Sequence, residues 1–174
     1  MYWLKVYQIP AASRVAKGRP LINLINLDEG ERITSLLNVE SFEEPGFVFM
    51  ATKKGVVKKT SLDEFKRQWK VGKKAIKLDP DDELVGSTLT DGEKFIMLVS
   101  QSGKAVFFDE KEARSMGRAA RGVKGINLAE DDQVISLLGP EKENTIFTVS
   151  ENGYGKRTNV DDFRKTRRGA KGVI

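Results

Sequence analysis

The sequence contains neither cysteine nor histidine among its 174 residues. Without cysteine there can be no disulfide and no thiolate nucleophile, and a reducing compartment is the natural setting. Without histidine the chain lacks the commonest metal ligand and the side chain that most often acts as general base near neutral pH. The composition therefore disfavours catalysis and metal binding.

Long apolar runs are also missing. No stretch approaches the roughly 20 apolar residues of a membrane-spanning helix, and the first residues do not follow the pattern of a signal peptide. With 39% hydrophobic and 32% charged residues, the composition is that of a soluble globular protein with a core. We expect a cytoplasmic protein with no membrane partner.

A basic cluster containing glycine recurs four times along the chain. The copies lie at residues 17–22, 71–76, 121–126 and 167–173. The anchor glycines are separated by 54, 50 and 47 residues: Gly18, Gly72, Gly122 and Gly169. A period near 50 residues is typical of a repeat architecture, so we predict four copies of one structural unit.

Positive charge is sorted by position within these copies. Residues 5–19, 53–74, 111–124 and 156–171 together carry a net charge of +20, and the rest of the chain carries −15, which gives the overall +5. A randomly mixed solvated surface would not usually sort charge in this way. The pattern favours a periodic cationic face with a polyanionic partner.

Each of the last three copies opens with an apolar run rich in β-branched and aromatic residues. These predicted outgoing strands are residues 47–52, 95–100 and 145–150. A glycine turn follows each run, and Asn152-Gly153 predicts a type I′ hairpin. The predicted return strands are Val56–Thr60, Lys104–Phe108 and Tyr154–Thr158.

The remainder of each unit completes a blade. Ser61 and Glu64 fit a capping box that would begin a single helical turn before the basic loop. Third strands are predicted at residues 75–78 and 125–128, and fourth strands, after acidic turns, at residues 84–86 and 134–138. Four short strands per 40–50 residues indicate an all-β, propeller-like fold built from four-stranded blade repeats.

We predict one domain over residues 1–174, with repeats at 1–46, 47–94, 95–144 and 145–174. The first repeat is expected to be incomplete, because residues 2–7 match a return strand whose outgoing strand is missing. The fourth is expected to stop within its third strand at Ile174. The chain is therefore predicted to be a fragment of a longer array, with unpaired strand edges.

Six segments carry a family resemblance: residues 2–14, 17–20, 55–60, 72–78, 121–126 and 152–158. Taken in this order, they resemble the C-terminal domain of bacterial DNA gyrase A. The resemblance covers essentially the whole chain, and the related topoisomerase IV domain is a less close match. It implies a β-pinwheel, a six-bladed propeller variant of which this chain would hold about four blades. It also implies that duplex DNA wraps around the rim to support negative supercoiling in a type II topoisomerase.

The family resemblance further implies which parts belong elsewhere. The DNA-breaking tyrosine and the ATP site lie in other parts of the enzyme, so this chain is expected to be non-catalytic and to need no cofactor. Its expected partners are duplex DNA and the remainder of gyrase A and gyrase B in the bacterial cytoplasm, with no small-molecule substrate. The family's box, Q-R-R-G-G-K-G, is absent. The nearest match, Thr166–Gly172, differs at two positions and is interpreted as the equivalent loop of a later blade.

DNA wrapping needs cations spaced along the phosphate backbone rather than base-reading side chains. Glycine lets backbone amides approach phosphate, and arginine can bond it through two donors. The candidate DNA-binding residues are the cations in and beside the basic loops: Arg14, Lys17, Arg19, Lys66, Arg67, Lys70, Lys73, Lys74, Arg118, Arg121, Lys124, Arg167, Arg168 and Lys171.

Other interpretations remain open from the sequence. The basic rim could dock an acidic protein or another region of the parent protein. The return-strand cations Lys58, Lys59, Lys156 and Arg157 could line the rim or pair with acidic turns. The aromatic residues are predicted to pack in the core rather than to stack on bases: Tyr2, Trp3, Phe65, Trp69 and Phe163. The acidic turn at residues 79–83 lacks the glycine and glutamate of an EF-hand, so we predict no metal site.

Overall fold

A computed structural model describes residues 1–69 and 71–174. The strands of this part are β1 (Phe47–Thr52), β2 (Val56–Ser61), β3 (Leu84–Thr90), β4 (Phe95–Ser100), β5 (Ala105–Asp109), β6 (Val123–Lys124), β7 (Val134–Leu138), β8 (Thr145–Val149) and β9 (Gly155–Asn159). Single 3₁₀ turns lie at Val6–Gln8, Leu21–Asn23, Leu62–Phe65, Glu110–Glu112 and Val160–Asp162. Among these elements none is a helix long and apolar enough to cross a membrane.

All the sheets in the described part are antiparallel, and each contains one hairpin, formed by β1 and β2, by β4 and β5, or by β8 and β9. The strand orders are β3-β1-β2-β6, β5-β4-β7 and β8-β9. The predicted outgoing, return and fourth strands are confirmed, with small shifts at their ends and a longer β3. The first two apolar runs form strands with both faces covered, as in β1, where five of six residues are buried. The third run forms β8, of which only Ile146 is buried, so the expectation of a strand covered on both faces is wrong there. The all-β prediction is therefore confirmed.

The predicted type I′ hairpin is wrong. Among the described residues other than glycine, only Asp81 and Asp131 have a positive φ, so Asn152 does not supply the conformation that this turn needs. Instead the amide of Gly153, at φ 81°, donates to the Ser150 carbonyl over 2.9 Å. A type I turn followed by one left-handed glycine closes the hairpin, as in the two earlier repeats.

The predicted third strands are also wrong. Residues 75–78 and 125–128 form no strand, because the amides of Gly125 and Ile126 both donate to the carbonyl of Gly55 in a neighbouring turn. The short strand β6 lies just before them and pairs with β2 of the preceding repeat, with Val123 opposite Val57. The basic cluster at residues 121–126 thus completes the sheet of the repeat before it.

Two other local predictions, at residues 2–7 and at Ser61, are wrong. Residues 2–7 are not a strand, because the chain turns back on itself and the Gln8 amide donates to the Lys5 carbonyl over 2.9 Å. The capping box is not formed, since the Ser61 side chain makes no capping hydrogen bond to the 3₁₀ turn that follows it. At the second place the Leu62 amide, the first of the turn, donates to the Gly46 carbonyl over 2.8 Å.

The loop-to-strand exchange recurs with a constant period. Val173 exchanges two backbone hydrogen bonds with Ala105, of 2.7 and 2.9 Å, and Lys73 and Met1 exchange two of 3.0 Å. The loop residues that pair in this way are Lys73, Val123 and Val173. Each follows a glycine, and these glycines lie at intervals of 50 residues: Gly72, Gly122 and Gly172. Gly172, not Gly169, is therefore the structural equivalent of Gly72 and Gly122.

The core lies between the sheets. Its central cluster combines fully buried residues of β1, β4 and β5, including Phe49, Ile96 and Phe108. A second cluster joins β1 to the first 46 residues, because Trp3 packs against it and donates its indole N–H to the Phe65 carbonyl over 3.1 Å. Neighbouring repeats therefore share one hydrophobic interior, which holds the loops between them in place.

Candidate nucleic-acid interface

The last three basic loops are stacked by backbone hydrogen bonds. We name them the second basic loop (residues 66–69 and 71–77), the third basic loop (114–127) and the fourth basic loop (164–174). The Lys77 amide donates to the Ala120 carbonyl over 3.1 Å. The Asn127 amide donates to the Ala170 carbonyl over 2.8 Å. The loops therefore form one continuous surface.

A buried lysine ties two of these loops to the sheet. Lys58 of β2 is fully buried, and its ammonium donates to the Ala75 carbonyl over 2.6 Å and to the Arg118 carbonyl. These carbonyls belong to the second and third basic loops, and Arg118 itself is half-buried. Neither interpretation offered for Lys58 from the sequence is correct, since it neither faces solvent nor bonds an acidic turn.

Lys58 should give the protein a distinctive pH dependence. Burial lowers the pKa of its ammonium from 10.5 to about 8. As the pH rises through about 8 toward 10, the folded chain releases a proton that the unfolded chain still holds, so this group makes folding more favourable with rising pH. We expect the thermal midpoint of the protein to rise relative to that of Lys58→Met across this window. Parallel pH profiles for the two proteins would contradict the assignment.

The next lysine along β2 is held in a buried ion pair. The Lys59 ammonium lies 3.7 Å from the Glu110 carboxylate, and the two side chains are 8% and 0% exposed. Glu110 also accepts hydrogen bonds from the Thr90 hydroxyl and from the amides of Gly92 and Lys94, over 2.7, 3.0 and 2.8 Å. Lys59 therefore connects successive repeats and is not available to DNA.

Most of the predicted DNA-binding cations are exposed. The exposed ones without a carboxylate partner in the described part are Arg14, Lys17, Arg19, Arg67, Lys74, Lys124, Arg167 and Lys171. Lys74, Lys124, Arg167 and Lys171 lie on the stacked loops. Lys70 lies outside the described residues.

The structure does not bring every candidate to this surface. Arg14, Lys17 and Arg19 lie in a segment whose hydrogen bonds, among the described residues, are all local. Among the described residues, no hydrogen bond or ion pair links that segment to the three stacked loops. The first predicted copy of the basic cluster is therefore separate from the other three.

Some candidate cations already have partners within the chain. Lys66 pairs with Glu43 over 2.8 Å, and Arg121 pairs with Asp79. Arg168 is half-buried, and its guanidinium donates to the carbonyls of Glu112 and Lys124 over 2.9 and 2.6 Å. Arg168 therefore holds the fourth basic loop against the third, and Arg121 and Lys66 are available to phosphate only in competition with a carboxylate.

Trp69 organises two cations of the second basic loop. The Arg67 guanidinium and the Lys73 ammonium each lie 4.1 Å from the centre of its ring. Such contacts stabilise a cation by about 0.5–2 kcal/mol. Trp69 is half-buried, so the prediction that it only packs in the core is incomplete.

The other aromatic residues have the packing roles predicted for them. Phe65 is fully buried in the second cluster, and Phe163 packs against a third. The Tyr2 ring lies against Gly72, and its hydroxyl donates to Glu31, which raises the pKa of Tyr2 to about 12. None of these three rings holds a pair of cations in the way that the Trp69 ring holds Arg67 and Lys73.

Sequence reasoning missed several cations on the same loops. Lys77, Arg114, Arg164 and Lys165 are all exposed. Arg164 and Lys165 line a groove of about 340 Å³ together with Arg167 and Lys171. Three of the four fall inside the basic windows of the charge pattern, so that pattern could have found them.

Comparisons with known proteins identify a family whose model matches this chain in four segments. The family model described as the DNA gyrase C-terminal domain, beta-propeller, matches residues 1–40, 46–91, 94–138 and 144–174. The DNA gyrase A protein of Clostridium acetobutylicum is 54% identical over the whole chain, and that of Salmonella typhimurium is 52% identical. The chain spans about a fifth of the length of these relatives, 21% and 20% respectively.

Two solved structures share the fold. The C-terminal domain of a DNA topoisomerase IV matches with a TM-score of 0.83 at 35% identity, over 90% of this chain and 49% of that one. A DNA gyrase A C-terminal domain matches with a TM-score of 0.79 at 27% identity, over 91% and 53%. The antiparallel sheets described above therefore belong to a known propeller fold.

Proposed function

Since the chain belongs to the family of DNA gyrase C-terminal domains, we propose that it binds duplex DNA without sequence preference on its stacked basic loops and bends the duplex along them. The observation that supports this most directly is the backbone bonding between the three loops. It joins loops that carry exposed cations in successive repeats, and a curved phosphate backbone needs cations at such intervals.

The contacts that hold the loops also suit this role. Lys58 and Arg168 use their charged groups to fix carbonyls of the basic loops. Because Lys58 and Arg168 hold the loops, the exposed cations of these loops remain able to contact phosphate. A surface fixed before binding loses less conformational freedom when DNA arrives, so more of each ionic contact remains to offset bending.

Within a longer protein, this domain would serve a type II topoisomerase. We propose that it acts with the rest of gyrase A and with gyrase B in the bacterial cytoplasm, and that wrapping presents a DNA crossing to them. Strand breakage and any use of ATP would belong to those parts. The domain itself would need no cofactor, since its task is electrostatic positioning.

A salt titration tests DNA binding by the chain. We expect the affinity for duplexes of about 100 bp to fall steeply with salt, with a slope of about −0.9 per phosphate contact, and to vary little with sequence. Binding should also shift the linking number of circular DNA that is relaxed in the presence of the chain. No binding at low salt, or a flat salt dependence, would contradict the proposal and would favour a protein-docking role for the loops.

A matched pair of variants locates the surface. Lys171→Ala removes an exposed cation of the fourth basic loop, and Lys142→Ala removes an exposed cation outside the basic loops, before β8. Both change the net charge by the same amount. Only Lys171→Ala is expected to reduce the magnitude of the salt slope, by about 0.9.

A further inference from the structure

One ion pair of the third basic loop is not repeated in the fourth. The guanidinium of Arg121 in the third basic loop pairs with the carboxylate of Asp79, which follows the second basic loop. The Arg121 side chain is 61% exposed, so it remains within reach of a phosphate. A carboxylate and a phosphate oxygen accept the same guanidinium donors, so the two compete.

The equivalent contact between the third and fourth repeats lacks its acid. The 50-residue register that relates Gly122 to Gly172 also relates Arg121 to Lys171 and Asp79 to Ala129. Lys171 is exposed, and among the described residues no carboxylate lies within ion-pair distance of it. Arg121 therefore has a carboxylate partner within the chain, and Lys171 has none among the described residues.

The backbone confirms that this register is structural. Asp81 and Asp131 share a positive φ, of 59° and 63°. Asp82 and Asp132 each accept an amide hydrogen bond from the hairpin turn before them, from Lys54 over 2.9 Å and from Ser102 over 3.1 Å. The two acidic turns therefore correspond residue by residue, and Ala129 takes the place of Asp79.

We propose that the Asp79 carboxylate acts as an internal competitor of DNA phosphate for Arg121, so that DNA first engages the fourth basic loop and reaches the third only by displacing Asp79. This inference rests on the proposed DNA binding. The groove lined by Arg164, Lys165, Arg167 and Lys171 supplies the first site, because none of these four cations pairs with a carboxylate among the described residues.

The residues of the chain itself provide the test variants. Asp79→Ala gives the third basic loop the residue that the fourth has, and Ala129→Asp gives the fourth the acid of the third. The double variant exchanges the two sites at unchanged net charge. Glu130→Ala is the control for loss of one acid, because Glu130 is exposed and makes no ion pair with a described residue.

The measurement is the affinity of the full 174-residue chain for a labelled duplex across a salt series. Asp79→Ala is expected to tighten binding about twofold to fivefold, as an exposed ion pair implies, and to steepen the salt slope by up to about 0.9. Glu130→Ala should have a smaller effect on affinity and none on the slope. In an Arg121→Ala background, Asp79→Ala should do no more than Glu130→Ala.

The exchanged variant gives the sharper outcome. In the wild type, Lys171→Ala should cost more affinity than Arg121→Ala, and in the exchanged variant the order should reverse. Equal effects of Asp79→Ala and Glu130→Ala, or an unchanged order, would overturn the competition. A wild-type chain that binds no DNA at any salt would overturn the proposed function as well, so the two failures are distinguishable.

Discussion

Replacing Glu110 with alanine is expected to lower the free energy of unfolding by about 3–5 kcal/mol, the range observed when one partner of a buried ion pair is removed. The carboxylate is fully buried and accepts three hydrogen bonds besides its ion pair with Lys59. Alanine would leave Lys59 charged in a site where water does not reach it. The donors on Thr90, Gly92 and Lys94 would lose their acceptor as well.

Urea unfolding of the chain measures this loss. Glu93→Ala is the matched control, because Glu93 pairs with Lys111 at the surface, with side chains 73% and 55% exposed. Exposed pairs contribute about 0–1 kcal/mol, so this variant should remain close to the wild type. Equal midpoints for the two variants would show that the buried carboxylate does not hold the repeats together.

Replacing Gly122 with alanine is the second change with a large expected effect. Gly122 has a φ of 112°, and a Cβ there would lie 2.5 Å from the Val57 carbonyl oxygen and 2.8 Å from a Val56 methyl group. The strained φ costs about 1–2 kcal/mol and the overpacking about 1–3 kcal/mol. The clash falls on the β2–β6 pairing, so the third basic loop should separate from the sheet and DNA affinity should fall.

Gly103→Ala separates the two costs. Gly103 has a φ of 82°, and nothing lies within 4 Å of the position that its Cβ would take. This variant should show only the smaller conformational cost and should bind DNA like the wild type. Hydrogen exchange at the amides of residues 56–57 and 123–124 should increase in Gly122→Ala alone. Equal unfolding free energies for the two variants would contradict the close approach.

The strands were predictable from the sequence because their signal is local. Apolar runs such as residues 95–100 are separated from their return strands by glycine turns. The third strands were not predictable, because β6 is defined by a partner in another repeat. A two-residue strand has no periodicity of its own, and only the 50-residue spacing of Gly72, Gly122 and Gly172 marks its place.

The site was predictable as a set of loops but not cation by cation. Charge sorting identified the basic loops, and several of their lysines and arginines are exposed. The burial of Lys58 and Lys59 was missed because lysine is usually solvated, and β2 is covered on both faces. The pairing of Arg121 with Asp79 was missed because the two residues are 42 positions apart and meet only through folding.

The pairing of β2 with β6 also affects how the chain is made. Val57 and Val123 are 66 residues apart, so the sheet of the second repeat remains one strand short until the third basic loop has left the ribosome. The same holds one repeat later for Ala105 and Val173. Each hairpin is therefore synthesised more than one repeat before the residue that pairs with its edge. During synthesis the most recently formed hairpin always has an open edge.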